Sequence, residues 1–195
     1  MNDQATVQAV FDQASQLFAA AAGDPALIQT LVEAANQTAE ALKQGGKLLL
    51  CGNGGSAAEA THFAGELVGP FLDRKRSPLA AIPLGFDTSS QTAISNDFGF
   101  EQVYARQVAA LGKPGDVLWA LTTSGNSANI LAAMRQAQTQ KMPVILFTNH
   151  DGGQARSLCD IALTTPCAPT PRVQELHQLY GHCLCQLIEA RLASQ

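Results

Sequence analysis

Residues 48–60, LLLCGNGGSAAEA, decide the fold, because they combine a short buried strand, a glycine-rich turn and the start of a helix. A second stretch of the same design, LWALTTSGNSANI, occupies residues 118–130. Glycines let the main chain turn tightly, and the free N–H groups at the start of the following helix face an anion. Two such turns predict a phosphate site at the carboxyl edge of a parallel sheet.

Short apolar runs alternate with helix-length segments along the rest of the chain. The apolar runs cover residues 47–52, 77–85, 115–122, 142–149 and 159–166, and the expected helices cover residues 57–68, 128–140, 154–158 and 172–193. Strands that are apolar along their whole length are typical of a parallel sheet that is covered on both faces. We therefore expect an α/β protein.

The first 45 residues predict two helices that lie outside the sheet. The first apolar stripe consists of Val7, Val10, Phe11, Ala14 and Phe18, and the second of Ile28, Leu31, Ala35, Ala39 and Leu42. Between them, Asp24 is a candidate N-cap with Pro25 at the first helical position. We expect residues 1–45 to pack as a helical pair on the domain or on a neighbouring subunit, within one structural domain overall.

Composition excludes several classes of function. The 195 residues carry 12 basic and 16 acidic side chains, a net charge of -4, which gives no reason to expect nucleic acid as a partner. No apolar run approaches the roughly 20 residues of a membrane span, and the N-terminus lacks the features of a secretory signal. We expect the five cysteines to be reduced, mostly buried thiols in a cytoplasmic protein with no membrane partner.

The hydroxyl groups of the two turns are candidate phosphate ligands. They belong to Ser56, Thr123, Ser124 and Ser127. The alternative is that these residues merely cap two helices. The first turn also fits a loose dinucleotide fingerprint, but the required acidic residue is missing at its expected distance, as is a Walker A lysine. A monophosphate is therefore favoured over NAD or ATP.

Side chains that can bind a metal or transfer protons lie on two of the expected helices. His62 and Glu66 are four residues apart and Glu59 precedes His62 by three, so the three share a helix face. Amides and an imidazole recur every four residues on the last helix, at Gln174, Gln178 and His182. His62 and Glu66 suit either a metal ion or a surface hydrogen-bonded pair. His182 is either a core histidine or a functional acid or base.

Two further polar stretches have simple explanations. Asn96 and Asp97 fall in residues 92–100, TAISNDFGF, which we expect to be a polar loop with an Asx turn. The basic cluster Arg74, Lys75 and Arg76 is interpreted as a solvated loop that could draw anionic substrates inward.

Four motifs in order resemble the phosphoheptose isomerase (sedoheptulose-7-phosphate isomerase) family of the sugar isomerase, or SIS, fold. They are CGNGGSAAEATHFAGEL at 51–67, ISNDFGF at 94–100, TTSGNSANI at 122–130, and RVQELH at 172–177 followed by His182. The resemblance implies a three-layer, flavodoxin-like domain with a five-stranded parallel sheet flanked by helices. Residues 46–195 would form the SIS sugar-phosphate-binding domain, and the N-terminal pair would serve oligomerisation in a homotetramer with active sites between subunits.

The resemblance also implies a reaction and its residues. Family members interconvert sedoheptulose 7-phosphate and D-glycero-D-manno-heptose 7-phosphate through an enediol, the first step towards ADP-heptose and the lipopolysaccharide core. Glu66 matches the catalytic acid/base, and His182 matches its partner. The positions that hold zinc in many members match His62, Glu66, Gln174 and His182. The substrate contacts match Asn53, Gly54, Gly55, Asn96, Asp97, Thr122, Thr123, Ser124, Ser127 and Gln174, to which we add Ser56 and Glu66.

Three positions depart from the family pattern. Pro70 stands where an arginine is usual, Pro171 where an aspartate is common, and Thr122 replaces a serine. The two prolines remove polar groups expected near the substrate and leave the exact sugar open. The alternative function on this fold is a non-catalytic tetrameric adaptor that binds the replication initiator DnaA. Such relatives lose the acid and the histidine that match Glu66 and His182, so the enzyme is favoured.

Overall fold

The structure is a computed structural model that describes residues 2–192. In this range the strands are β1 (Leu48–Gly52), β2 (Ala81–Pro83), β3 (Val117–Thr122), β4 (Val144–Asn149) and β5 (Ile161–Thr165). The α-helices are α1 (Asp3–Ala22), α2 (Pro25–Lys43), α3 (Gly55–Val68), α4 (Thr88–Phe98), α5 (Val103–Leu111), α6 (Ala128–Thr139) and α7 (Thr170–Leu192). Two 3₁₀ helices cover Phe100–Gln102 and Gly153–Leu158.

The strands form one parallel sheet in the order β2-β1-β3-β4-β5, which confirms the expected five-stranded flavodoxin-like arrangement. β1 and β3 are neighbours, with Gly52 opposite Leu121 at their carboxyl ends. The chain reverses its direction of winding between these two strands. Ligands of open α/β sheets bind at such a switch point, so the turns after β1 and β3 begin at the expected place.

Two apolar cores cover the two faces of the sheet, because successive strand side chains point to opposite sides. Leu48 and Leu50 join a core with side chains of α2, α3 and α7, including Phe63 and Tyr180. Leu49 joins the other core, with side chains of α5 and α6. The protein therefore has the predicted three layers.

The N-terminal helical pair is present. Asp24 caps α2 by accepting hydrogen bonds from the N–H groups of Ala26 (2.9 Å) and Leu27 (3.1 Å), as its position before Pro25 predicts. α2 buries Leu31, Ala35 and Ala39 of its predicted stripe, whereas Ile28 is exposed. On α1, the large side chains of the predicted stripe are exposed in the single chain: Val7, Val10, Phe11 and Phe18. The role of this pair in oligomerisation stays a prediction.

The expected polar loop around Asn96 and Asp97 is wrong, because both residues lie near the end of helix α4. Asp87 caps this helix by accepting a hydrogen bond from the N–H group of Ser89 at 3.1 Å. α4 buries none of its residues. Its sequence therefore shows no apolar stripe, which is the signal by which helices were recognised elsewhere in the chain.

The last helix begins at Thr170, two residues before the predicted start. Pro171 lies in the first turn of α7, where a helix needs no N–H group from it. The predicted end at Ala193 lies outside the described residues. Among the helices of residues 2–192, none has both the length and the apolar character needed to cross a bilayer.

The cysteines are free thiols, as expected, but fewer are buried than predicted. Cys51 and Cys185 are buried, Cys159 and Cys183 are half-buried, and Cys167 is exposed. Burial raises the pKa of Cys51 and of Cys185 to about 12. These two thiols are therefore unreactive core residues.

Candidate active site

The two glycine-rich turns lie side by side and are joined by a pair of amides. The Asn53 side chain, after β1, donates to Oδ1 of Asn129 in α6 at 2.8 Å, and the Asn129 side chain donates back to Oδ1 of Asn53 at 2.8 Å. Asn129 is buried. The structure thus brings both predicted phosphate turns to one edge of the sheet.

The first turn depends on a glycine. Gly54 has φ 55° and ψ -119°, a conformation that side chains strongly disfavour, and it precedes α3 without offering a capping side chain. The N–H group of Ser56 bonds the carbonyl of Asn53 at 3.0 Å. The Ser56 side chain is buried at the start of α3, next to the space that the turn encloses.

The second turn packs closely against the loop after β4. Gly125 has φ 64°, and a Cβ atom there would stand 1.9 Å from the carbonyl oxygen of Gly152. Ser127 begins α6, yet its hydroxyl makes no capping hydrogen bond and lies 3.4 Å from Oγ1 of Thr122. The capping alternative therefore does not account for Ser127. The Ser124 hydroxyl accepts a hydrogen bond from the N–H group of Asn126 at 3.2 Å.

A cavity of about 340 Å³ opens between the two turns and the start of α7. Its lining consists of Asn53, Gly55, Ser56, Leu121, Thr122, Thr123, Ser127, Thr170 and Gln174. The Gln174 amide lies directly against Gly55, where an added Cβ atom would stand 2.3 Å from Nε2. Most of the predicted substrate contacts from the two turns therefore share one polar cavity with Gln174.

Asn96 and Asp97 lie away from this cavity in the single chain. The Asn96 amide donates to Oδ1 of Asp97 at 2.8 Å, and both residues are exposed on α4. Asp97 lines a different cavity, of about 360 Å³, between α4 and α5. Their predicted contact with the substrate stays a prediction.

A cluster of two imidazoles and a carboxylate lies where α3 contacts α7. Nε2 of His62 is 2.8 Å from Nε2 of His182 and 3.3 Å from Oε1 of Glu66. The amide that contacts His182 is that of Gln178, at 3.2 Å, whereas Gln174 faces the cavity. The helices approach closely here because Gly181 leaves room for the Phe63 ring. The structure thus places Glu66 beside His182, its predicted catalytic partner.

This cluster fits a metal ion. One ligand atom each from His62, Glu66 and His182 lies within 4.8 Å of the others. Two imidazole nitrogens and a carboxylate oxygen are a common ligand set for Zn²⁺. Gln174 was the fourth predicted ligand, and its ligation stays a prediction.

Burial shifts the pKa of three side chains on α3 and α7. Partial burial and the neighbouring His62 lower the pKa of His182, while Glu66 raises it. Burial raises the pKa of Glu59 to about 7, against a smaller opposing effect of Ser56. Burial lowers the pKa of His177 to about 4, against a smaller opposing effect of the Thr148 main chain. His177 is therefore a neutral core residue, and the half-buried His182 is the histidine of α7 that lies in the cluster.

Sequence reasoning missed some of the residues that build the site. Nothing in the sequence singles out Asn129, whose role depends on the adjacency of β1 and β3.

The interpretation of Arg76 as part of a solvated loop is wrong, because its side chain is buried against Glu189, whereas Arg74 and Lys75 are exposed. A buried partner 113 residues away leaves no local signal.

The fold and the site define the class of the protein, an α/β domain with a cavity lined mostly by polar residues at its switch point. A family model described as SIS domain matches residues 11–149. The chain is 48% identical over 178 residues to a phosphoheptose isomerase of Burkholderia pseudomallei, and the aligned segment covers 91% of this chain and 89% of that protein. Within the SIS domain family, the chain belongs to the phosphoheptose isomerases.

Solved structures agree with this assignment. The structure of phosphoheptose isomerase from Neisseria gonorrhoeae is similar with a TM-score of 0.89 at 42% identity, over 96% of this chain and 98% of that one. That of a phosphoheptose isomerase from Francisella tularensis is similar with a TM-score of 0.92 at 38% identity, over 97% of this chain and 100% of that one. The likeness includes the N-terminal helices as well as the sheet.

Proposed function

We propose that the protein is a phosphoheptose isomerase that interconverts sedoheptulose 7-phosphate and D-glycero-D-manno-heptose 7-phosphate, for ADP-heptose and lipopolysaccharide core synthesis. One observation carries the proposal: the same two helices, α3 and α7, line the polar cavity at one end and hold the Glu66–His182 cluster further along. The likeness to phosphoheptose isomerases over most of both chains supports the choice of substrate.

The spacing along α7 suits a long substrate. Gln174 lines the cavity, and His182 follows eight residues later, about 80° further round the helix and about 12 Å along its axis. In sedoheptulose 7-phosphate, the phosphate and the reacting C1–C2 unit lie at opposite ends of the carbon chain. A phosphate held by Ser127, which lines the cavity, and by Ser124, which is exposed in the same turn, would direct the carbonyl end towards Glu66 and His182.

Glu66 and His182 have complementary roles in the proposed reaction. Glu66 removes a proton from C1 of the ketose, which leaves an enediolate with its negative charge on the C2 oxygen. His182 moves the proton of the C1 hydroxyl to the C2 oxygen, and the protonated Glu66 returns its proton to C2, which completes the aldose. One carboxylate and one imidazole next to the two carbons suffice for these transfers. Binding of the remote phosphate supplies the orientation.

We propose Zn²⁺ as the cofactor, held by His62, Glu66, His182 and Gln174. Such an ion would polarise the substrate carbonyl and stabilise the negative charge that develops on its oxygen. Support comes from the convergence of the first three side chains within 4.8 Å. Gln174 would have to turn from Gly55 towards the cluster.

We also propose a homotetramer in the cytoplasm. The exposed apolar side chains of α1, such as Phe11 and Phe18, support contacts between copies through the N-terminal pair. Asn96 and Asp97 would then complete the cavity of a neighbouring subunit, since both are exposed on α4 in their own chain and Asp97 lines a separate cavity there. The adaptor alternative is not favoured, because Glu66 and His182 are both present and adjacent and the relatives are isomerases.

The experiment is direct conversion of the substrate. Purified protein is incubated with sedoheptulose 7-phosphate, and the aldose phosphate is followed by NMR, before and after treatment with a chelator. Unphosphorylated sedoheptulose is the matched control for the phosphate site. We expect conversion of the phosphorylated sugar only, and slower conversion after metal removal. Absence of conversion, together with retention of the initiator DnaA in a binding assay, would favour the adaptor.

A further inference from the structure

A buried ion pair lies behind the Glu66–His182 cluster. Nε of Arg76, in the loop after α3, is 2.7 Å from Oε2 of Glu189 in α7. The two side chains are only 3% and 5% exposed. A buried pair of this kind contributes little net stability compared with apolar residues of the same size. The main-chain groups that the pair binds show which segments it holds together.

The remaining N–H groups of Arg76 hold the end of the helix that carries Glu66. Nη2 donates to the carbonyl of Glu66 itself at 2.6 Å and also to that of Gly69. Nη1 donates to the carbonyl of Leu67 at 2.8 Å. The last carbonyls of a helix have no partner within it, and a guanidinium can bind several of them at once. Arg76 thereby fixes the main chain at Glu66.

Glu189 holds the segment that packs on His182. Its carboxylate accepts hydrogen bonds from the N–H groups of Phe71 (3.2 Å), Leu72 (2.8 Å) and Asp73 (2.8 Å). The ring of Phe71 lies against the His182 imidazole, with centroids 5.6 Å apart. Glu189 also follows His182 by seven residues, two turns along the same face of α7.

We propose that Arg76 and Glu189 are positioning residues for the isomerisation, because they tie the main chain of Glu66 and the Phe71 ring to the helix that carries His182. This inference rests on the proposed function for its catalytic meaning. Two reacting side chains on different helices must keep their separation to within a fraction of an ångström, and a displacement of about 1 Å can cost roughly a hundredfold in rate. The pair sets that separation without touching the substrate.

Three variants separate positioning from folding. Arg76→Lys keeps the charge opposite Glu189, but its three N–H donors are too few for the carboxylate and the four carbonyls that Arg76 binds. The double variant Arg76→Gln with Glu189→Gln removes both buried charges together, which proteins tolerate better than the loss of one. Arg74→Gln, an exposed arginine in the same loop, is the matched control.

We expect kcat per folded protein to fall about 10- to 100-fold in the lysine and double variants, while KM stays close to wild type. The melting temperature of the double variant should fall less than that of Arg76→Gln alone, because the double variant leaves no unpaired buried charge, and Arg74→Gln should behave as wild type in every assay. If the double variant keeps its fold and its kcat equals that of wild type, the pair is merely structural and the proposal is wrong.

A crystal structure of Arg76→Lys tests the geometry independently of turnover. We expect the end of α3 to shift and the separation of 2.8 Å between Nε2 of His62 on α3 and Nε2 of His182 on α7 to change. An unchanged cluster would overturn the positioning role. If wild-type protein fails to convert sedoheptulose 7-phosphate, the proposed function fails, and this distance still decides whether Arg76 positions Glu66.

Discussion

Replacement of Glu59 by glutamine should make the protein more stable at alkaline pH and leave it unchanged at acidic pH. Glu59 is 7% exposed on α3, between the cavity and the Glu66–His182 cluster, and neither of its buried carboxyl oxygens makes a well-aligned hydrogen bond. Burial raises its pKa from 4.5 to about 7, against a smaller opposing effect of Ser56. Between these values the folded protein binds a proton that the unfolded chain lacks, so stability falls as the pH rises.

The size of the effect follows from the two pKa values. Each tenfold change in proton affinity is worth about 1.4 kcal/mol. The rise of the pKa from 4.5 to about 7 therefore lowers the free energy of unfolding by roughly 3 kcal/mol, and this loss is complete above pH 7. Glu59→Gln removes this loss, because an amide does not ionise. We expect the variant to match wild type near pH 4 and to be more stable by up to roughly 3 kcal/mol at pH 8.

Urea denaturation at a fixed protein concentration measures this difference. The single tryptophan, Trp119, is fully buried and reports unfolding by its fluorescence. Glu33→Gln, which removes an exposed carboxylate from α2, is the matched control and should show no such pH dependence. A difference between Glu59→Gln and wild type that stays constant from pH 4 to pH 8 would refute the reasoning.

Three further substitutions test the site. Ser127→Ala should raise KM for sedoheptulose 7-phosphate about tenfold with little change in stability, since the hydroxyl caps nothing, and an unchanged KM would dismiss it as a phosphate ligand. Gly55→Ala should also weaken substrate binding, because the added Cβ atom would stand 2.3 Å from Nε2 of Gln174 and displace that amide. Calorimetry measures the affinity, and an unchanged affinity would count against Gln174 as a substrate contact. Gly181→Ala should lower the melting temperature, because the added Cβ atom would stand 2.1 Å from the buried Phe63 ring. Overpacking of this kind costs about 1–3 kcal/mol of stability, and an unchanged melting temperature would contradict the described packing.

The sheet and the turns could be predicted from sequence because their signals are local. A glycine-rich turn after an apolar strand already predicts an anion site, and the two turns meet because β1 and β3 are adjacent. Helix α4 could not be recognised by periodicity, since it buries no residue. Its capping residue, Asp87, was the one available signal.

Contacts between distant segments lie beyond such reasoning. The amides of Asn53 and Asn129 are 76 residues apart, and Arg76 and Glu189 are 113 residues apart. Helical spacing correctly put His62 and Glu66 on one face of α3, whereas the partnership of Glu66 with His182 was implied by the family resemblance. The spacing could not decide between Gln174 and Gln178 as the neighbour of His182, because both lie on one face of α7.

Exchange of substrate hydrogen with deuterated water tests the assignment of Glu66 most directly. Wild-type protein and Glu66→Gln are incubated in D₂O with sedoheptulose 7-phosphate, and deuterium at C1 and C2 is followed by NMR while calorimetry measures binding. We expect wild type to exchange these hydrogens and Glu66→Gln to bind the sugar phosphate without exchange. Exchange by Glu66→Gln at a rate near that of wild type would contradict the role of Glu66 as the base.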